Sequence, residues 1–256
     1  MHGRKNNYYM KTIYILWLRQ LKRYFRSKSR MIGSLAQPLF FLLSLGYGFG
    51  PVFKEAGQGN YIQFLVPGII GMTLIFTSVF SGMEIIWDKQ FGFLKETLVA
   101  PVSRFNIMIG RTLGGATVAT LQGTLVLLIS LIIGFRPVSW ALVPIAIIVM
   151  LLSALLFTAL GTAIASKLDD MQGFQLIVNF LVMPLFFLSG AIFPLSSAGA
   201  IGKIAQFDPL SYSVDALRNL LSNIPHFGLA TDFGILAILT LAFLALGSYF
   251  FSKVQI

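Results

Sequence analysis

Side chains able to do chemistry are few in this sequence, and they are thinly spread. There is no cysteine, and the two histidines, His2 and His226, stand far apart, so neither a thiolate metal site nor a histidine cluster is indicated. Asp208, Asp215, Asp232 and His226 are the acids and base that a membrane-embedded enzyme could gather, but helix capping or solvation explains them adequately. No G-x-x-x-x-G-K-[ST] phosphate loop occurs, so the chain is not expected to hydrolyse ATP. The G-x-G-x-G formed by Gly46, Gly48 and Gly50 has no strand-to-helix unit after it and makes no dinucleotide site. What remains is one concentrated set of charges, Glu84, Asp88, Lys89, Lys95, Glu96, Arg104 and Arg111, interleaved with Phe91, Phe93, Leu94 and Leu98. Mixed charge around apolar anchors is the chemistry of recognition.

The elements that position this stretch follow from composition. With 56% hydrophobic and 11% charged residues and a mean hydropathy of +0.82, the chain reads as an all-α integral membrane protein forming a single domain over residues 1–256. The charged stretch lies between two apolar runs long enough to cross a bilayer, so it is expected to be a loop on one aqueous face. Phe91, Leu94 and Leu98 recur at i, i+3 and i+7, with Lys95 and Glu96 turned away, which predicts a short amphipathic helix. Pro101 ends it, and Ser103 is placed to cap the next helix.

The net charge of +10 is concentrated at one end. Residues 1–30 carry Arg4, Lys5, Lys11, Arg19, Lys22, Arg23, Arg26, Lys28 and Arg30 without an acid, ahead of an apolar run, which reads as a cytoplasmic anchor and not as a nucleic-acid arm or a cleaved signal. Ile13, Tyr14, Trp17, Leu21, Tyr24 and Phe25 fall on one helical face and the cations on the other. That pattern predicts an interfacial helix contacting membrane lipids, its aromatics toward the acyl chains.

Six spans follow within residues 31–251: about 31–50, 61–83, 105–135, 138–165, 174–193 and 230–251, with a tail at 252–256. In the third, Gly110 and Gly114, then Gly115, Ala119 and Gly123, recur every four residues, which permits close backbone contact. Residues 196–227 are expected to form two short outer helices, the second opened by Asp208-Pro209. Both termini are placed inside, because every Lys and Arg except Lys54, Arg136, Lys203 and Arg218 then lies on the cytoplasmic side. No charge lies near the middle of a span, which argues against a proton-driven pump and leaves the energy to come from elsewhere. Gln37, Thr77, Gln122 and Asn179 are the polar residues that either line a pathway or bond between helices.

The run Phe93-Leu94-Lys95-Glu96-Thr97-Leu98-Val99-Ala100-Pro101-Val102-Ser103-Arg104 with Gly110-Arg111 resembles the cytoplasmic loop of ABC-2 type permeases. Leu188-Ser189-Gly190-Ala191-Ile192-Phe193-Pro194, then Asp208-Pro209-Leu210-Ser211-Tyr212 and Asp215-Ala216-Leu217-Arg218, is similar to the second half of that pattern, and the loop looks most like the daunorubicin or multidrug-resistance branch. Polysaccharide and teichoic-acid exporters share the layout. The resemblance implies the membrane subunit of an ABC exporter, located in the cytoplasmic membrane and paired with a second permease chain, most simply as a homodimer. It also implies a separate ABC ATPase that binds ATP and magnesium, with no cofactor in this chain. It implies that the loop is a coupling helix, with Phe91, Phe93, Leu94, Leu98 and Pro101 entering a groove on the ATPase and Lys95, Glu96 and Arg104 fixing its orientation. The helix with Trp17, Arg19, Lys22, Arg23 and Arg26 would lie alongside as a second contact.

Overall fold

A computed structural model of the chain describes residues 2–55, 59–99, 102–195 and 199–254. Its regular elements are helical: α1 His2–Arg26, α2 Lys28–Glu55, α3 Tyr61–Ser81, α4 Met83–Gln90, α5 Phe93–Val99 and α6 Arg104–Ile133 in the first half. The second half holds α7 Val143–Lys167, α8 Met171–Leu188, α9 Ala200–Ile204, α10 Pro209–Ser222 and α11 Leu229–Ser252. Six of these runs are long and apolar enough to cross a membrane, α3 and α4 counting as one. The chain is an all-α multi-pass membrane protein.

Local chemistry sets the boundaries. The side chains of Asn60, Ser103, Asp170 and Asp208 accept the N–H of Ile62, Asn106, Gly173 and Leu210 at 3.0, 3.2, 2.6 and 2.8 Å, opening α3, α6, α8 and α10. Pro209 occupies the first turn of α10, where its missing N–H costs nothing. Some expectations needed revision here. The helix of the first span does not end near residue 50, because α2 stays helical through Pro51 to Glu55. The second span does not end near residue 83, because Gly82 keeps helical angles and α4 carries the rod on to Gln90.

The central rod is α3, with α2, α6, α7 and α10 packed around it and α11 lying on α7 and α6. Lipid removes the hydrophobic drive between helices, so close packing must hold them together, and small residues allow it. A Cβ added to Gly82 would stand 2.4 Å from the Gly161 carbonyl oxygen, so the α3–α4 junction and α7 meet backbone to backbone. Gly110 and Gly114 make the contact that their spacing predicts. A Cβ on the first would lie 3.0 Å from the Ile13 carbonyl oxygen, and one on the second 2.6 Å from the Gln20 side chain, which seats α1 on α6.

Between the fifth and sixth spans, α10 is sunk into the bundle and not laid on its surface. Leu210 through Arg218 are all buried, Asp215 and Arg218 included. The two-faced pattern of that helix is correct, but its polar face also meets protein.

Candidate docking surface at the charged end

Glu84 and Asp88 stand at i and i+4 on α4, and Arg19 and Arg23 at i and i+4 on α1, so each pair lies on one helical face. The two faces meet. Arg19 Nη2 donates to Asp88 Oδ1 at 3.1 Å, and Arg23 Nη1 lies 3.6 Å from Glu84 Oε2. From α6, Arg111 reaches the second oxygen of Asp88, and both residues are buried. A lone buried charge is costly, so these groups are viable only as a set, and the set fixes α1, α4 and α6 against one another. The expectation that residues 84–111 form a solvated loop is therefore corrected. The acids sit on the end of a span helix, and the cations that satisfy them come from α1 and α6.

Two further ties brace this end. Lys89 Nζ donates to the carbonyls of Ser166 and Leu168 at 3.3 and 3.0 Å and to Asp169 at 3.2 Å, joining α4 to the α7–α8 turn. Arg104 Nη1 donates to the carbonyls of Ser252 and Val254 at 2.6 and 2.9 Å, holding the end of α11.

Beyond α4 the chain turns sharply at Gly92, whose φ of +79° is open to glycine and strained for other residues. The turn throws α5 out as a separate short helix. Leu94 anchors it, fully buried in the chain's own core, while Phe91, Phe93 and Val99 remain 60%, 53% and 85% exposed. A cavity of about 360 Å³ lies beside them, lined by Arg19, Arg23, Trp87, Asp88, Phe91 and Phe93, so α1 and the turn form one continuous surface. A second, basic cleft of about 970 Å³ is lined by Arg19, Lys22, Arg23, Arg26 and Lys28 where α1 meets α2. Exposed apolar side chains on a braced projection, rimmed by charge, make a surface for a partner.

The family model for ABC-2 type transporters matches residues 11–222, which takes in α1, the charged end and α10. The chain belongs to that family. It is 26% identical over 211 residues to Nodulation protein J of Rhizobium leguminosarum bv. viciae, a match covering 81% of each chain. It is 29% identical over 205 residues to the putative transport permease ycf38 of Porphyra purpurea, covering 77% of this chain and 69% of that one. To the ycf38 protein of Cyanophora paradoxa it is 26% identical over 224 residues, covering 84% and 76%. These names speak of nodulation and transport, not of drug resistance.

The structure of this ABC-2 permease regroups the residues that its sequence offers. Phe91 is not on α5 with Leu94, because Gly92 separates them; it caps α4 and packs against Trp87 with ring centroids 5.1 Å apart. Leu94 faces inward, so it anchors α5 and is not free to enter a groove elsewhere. Arg104 is held by the carbonyls of its own chain and is not a free rim charge. Lys95 and Glu96 are exposed as expected. The side chain of Leu98 and all of Pro101 lie outside the described residues.

On α1 the expected split into outward aromatics and solvated cations holds only in part, since Tyr14 and Phe25 are exposed but other members of each face turn to protein. Trp17 Nε1 donates to Thr117 Oγ1 at 3.0 Å and Tyr24 is buried, while Arg19 and Arg23 turn to carboxylates; Lys22 and Arg26 stay exposed. Thr77 and Gln122 bond between helices, Thr77 Oγ1 donating to Gln122 and Gln122 donating to Ser34 of α2. Gln37 and Asn179 lie on outward faces of α2 and α8. The charge cluster was the part that sequence reasoning missed. Its one signal was the matched i, i+4 spacing of Glu84/Asp88 and Arg19/Arg23.

At the opposite end, Asp208 and Arg218 are structural. Burial pushes the Asp208 carboxyl up to about 7 against the pull of the Leu210 N–H. Arg218 donates to the carbonyls of Phe64 and Gly190 at 3.3 and 3.0 Å and lies over the Phe64 ring at 3.8 Å.

Proposed function

We propose that this ABC-2 chain is the membrane subunit of an ATP-driven exporter and that α5 with the adjoining face of α1 is where a separate ABC ATPase docks. The observation that carries this reading is the projection of α5 from a braced base. Phe91, Phe93 and Val99 remain more than half exposed, while Leu94 and the Asp88 cluster tie the same segment to α1, α6 and α7. A force applied to α5 thus reaches several spans at once. Family membership supports an ATPase partner, which would bind the ATP and magnesium that this chain has no loop to hold.

On this reading the charged end faces the cytoplasm, with both termini, and the chain sits in the cell's cytoplasmic membrane. The basic cleft between α1 and α2 then lies at the level of anionic headgroups. Two permease chains side by side, most simply a homodimer, enclose the pathway. The substrate is an amphipathic or hydrophobic molecule, and nothing in the relatives' names favours a drug over a lipid-linked glycan.

The test is recovery of an ATPase with Walker motifs alongside the tagged chain, compared with Phe93→Asp. A charge at an interface anchor is expected to weaken the complex at least about 30-fold, the effect of a 2 kcal/mol hot spot. Undiminished recovery with F93D would remove α5 from the interface.

A further inference from the structure

Two carboxylates meet at the end of the bundle remote from α1, and their surroundings differ. Asp215 of α10 is richly supplied: Oδ1 accepts the His226 N–H at 2.8 Å, and Oδ2 accepts those of Phe227 and Gly228 at 2.7 and 3.4 Å. These bonds fold the turn before α11 back onto α10. Asp232, in the first turn of α11, donates its own N–H to the Gly228 carbonyl at 3.1 Å, so both acids are tied to the same residue. The Asp232 carboxyl lies within hydrogen-bonding reach of Asp215, it is fully buried, and neither of its oxygens meets a protein donor.

Two negative charges side by side out of water cannot both persist. Asp215 has the N–H groups and the field of the nearby Arg218 guanidinium, so the negative charge settles there. Asp232 has only the weaker field of the α11 N-terminus and no donor on its oxygens, yet as an acid its O–H has an acceptor beside it in Asp215. A metal ion is a poor alternative, since the Asp215 oxygens are already turned to N–H donors. Beside Asp215 lies a cavity of about 130 Å³ whose lining includes Ser211, Arg218 and the exposed His226. It has room for a few waters at about 30 Å³ each. The Ser211 hydroxyl is buried there without a protein partner, as expected of a group that bonds water.

We propose that Asp215 and Asp232 form a binding site for a single proton, filled from the aqueous phase through the His226 cavity, and that this proton clasps the start of the last span to α10. On release, the Asp232 O–H bond gives up its proton to Asp215, which lines the cavity and hands it to water there, and the pair passes from one negative charge to two. Arg218 balances only one of them. The carboxylates then separate, and because α10 is buried along its length the start of α11 with the turn before it is the part that gives way. The other charged or titratable groups facing the pair are Asp208 and Tyr212 on α10 and its lead-in, with Tyr61 of α3 beyond Arg218. At this end α6 and α7 bring no ionisable side chain.

Infrared difference spectroscopy of the full chain in lipid nanodiscs, titrated from about pH 5 to about pH 9, reads the proton directly, because a protonated carboxyl has its own C=O band. The expected result is a carboxylic-acid band that fades as the pH rises, survives in Asp208→Asn, and is lost when Asp232→Asn is added. The asparagine amide can still donate to Asp215, so D232N should fold and its thermal midpoint should lose part of the wild type's pH dependence. If D232N does not yield folded protein, Asp232→Glu decides the matter by moving the band. Absence of a titrating acid band from Asp208→Asn, where the other buried acid is silent, or a band in that variant left unchanged by adding D232N or D232E, overturns the proposal.

Discussion

Arg111 and Asp88, twenty-three residues apart, form a buried ion pair at the charged end of the bundle, and Arg19 of α1 shares the same carboxylate. The pair is where the continuation of the second span, the start of the third and the N-terminal helix become one body. Removing a single partner strands a buried charge, so Arg111→Ala or Asp88→Ala is expected to cost about 3–5 kcal/mol. Replacing both together with a neutral pair should recover much of that loss. Thermal unfolding of the purified variants measures it, and a double-variant loss equal to the sum of the two single losses would mean that the pair is not coupled.

The backbone contact between Gly82 and Gly161 leaves no room for a methyl group. Gly161→Ala would set a Cβ 2.4 Å from the Val79 carbonyl oxygen, backbone that cannot swing aside. Destabilisation of about 1–3 kcal/mol is expected, as for other overpacked sites. Gly48→Ala, where nothing lies within 4 Å, should be neutral. Unfolding midpoints of the two variants make the comparison.

Stability should also depend on pH through Asp208. Its folded carboxyl is raised to about 7 from an ordinary value of 3.8, so the folded chain keeps a proton that the unfolded chain releases. The stabilisation is therefore complete in acid below the ordinary value and is lost as pH climbs through about 7. Its size is on the order of a few kcal/mol. Asp208→Asn should remove this share of the pH dependence of the thermal midpoint while leaving the chain folded.

Much of this architecture is legible in the sequence, and the parts that are not share a cause. Apolar run length gives six spans, and short-range chemistry gives the openings at Ser103 and at Asp208-Pro209. The four-residue spacing of Gly110 and Gly114 correctly marks a close helix contact, though not that α1 is the helix received. Asp88 reads as a loop charge because its partners, Arg19 and Arg111, lie on other helices, and periodicity within one segment cannot report a partner in another. Phe91 falls in register with Leu94 on a helical wheel, but the positive φ of Gly92 interrupts the helix between them. Asp215 reads as solvated for the same reason as Asp88: its partners, the N–H groups of His226 and Phe227, lie outside its own helix.

The exposed apolar side chains of α5 predict where the chain is sensitive to charge. Val99→Asp is expected to abolish co-purification with the ATPase while leaving the stability within about 0.5 kcal/mol of the parent, as at other surface positions. Leu94→Asp should instead unfold the segment, because that side chain is fully buried. Co-purification and thermal unfolding, run on the same samples, separate the two outcomes.

The central claim is that α5 faces the cytoplasm as a docking point, and the absence of cysteine from this chain allows a direct test of it. A single thiol introduced as Glu96→Cys, at an exposed position on α5, can be probed with a membrane-impermeant maleimide. The account predicts labelling in inside-out vesicles and none in intact cells. Labelling of intact cells would place α5 on the outer face and contradict it.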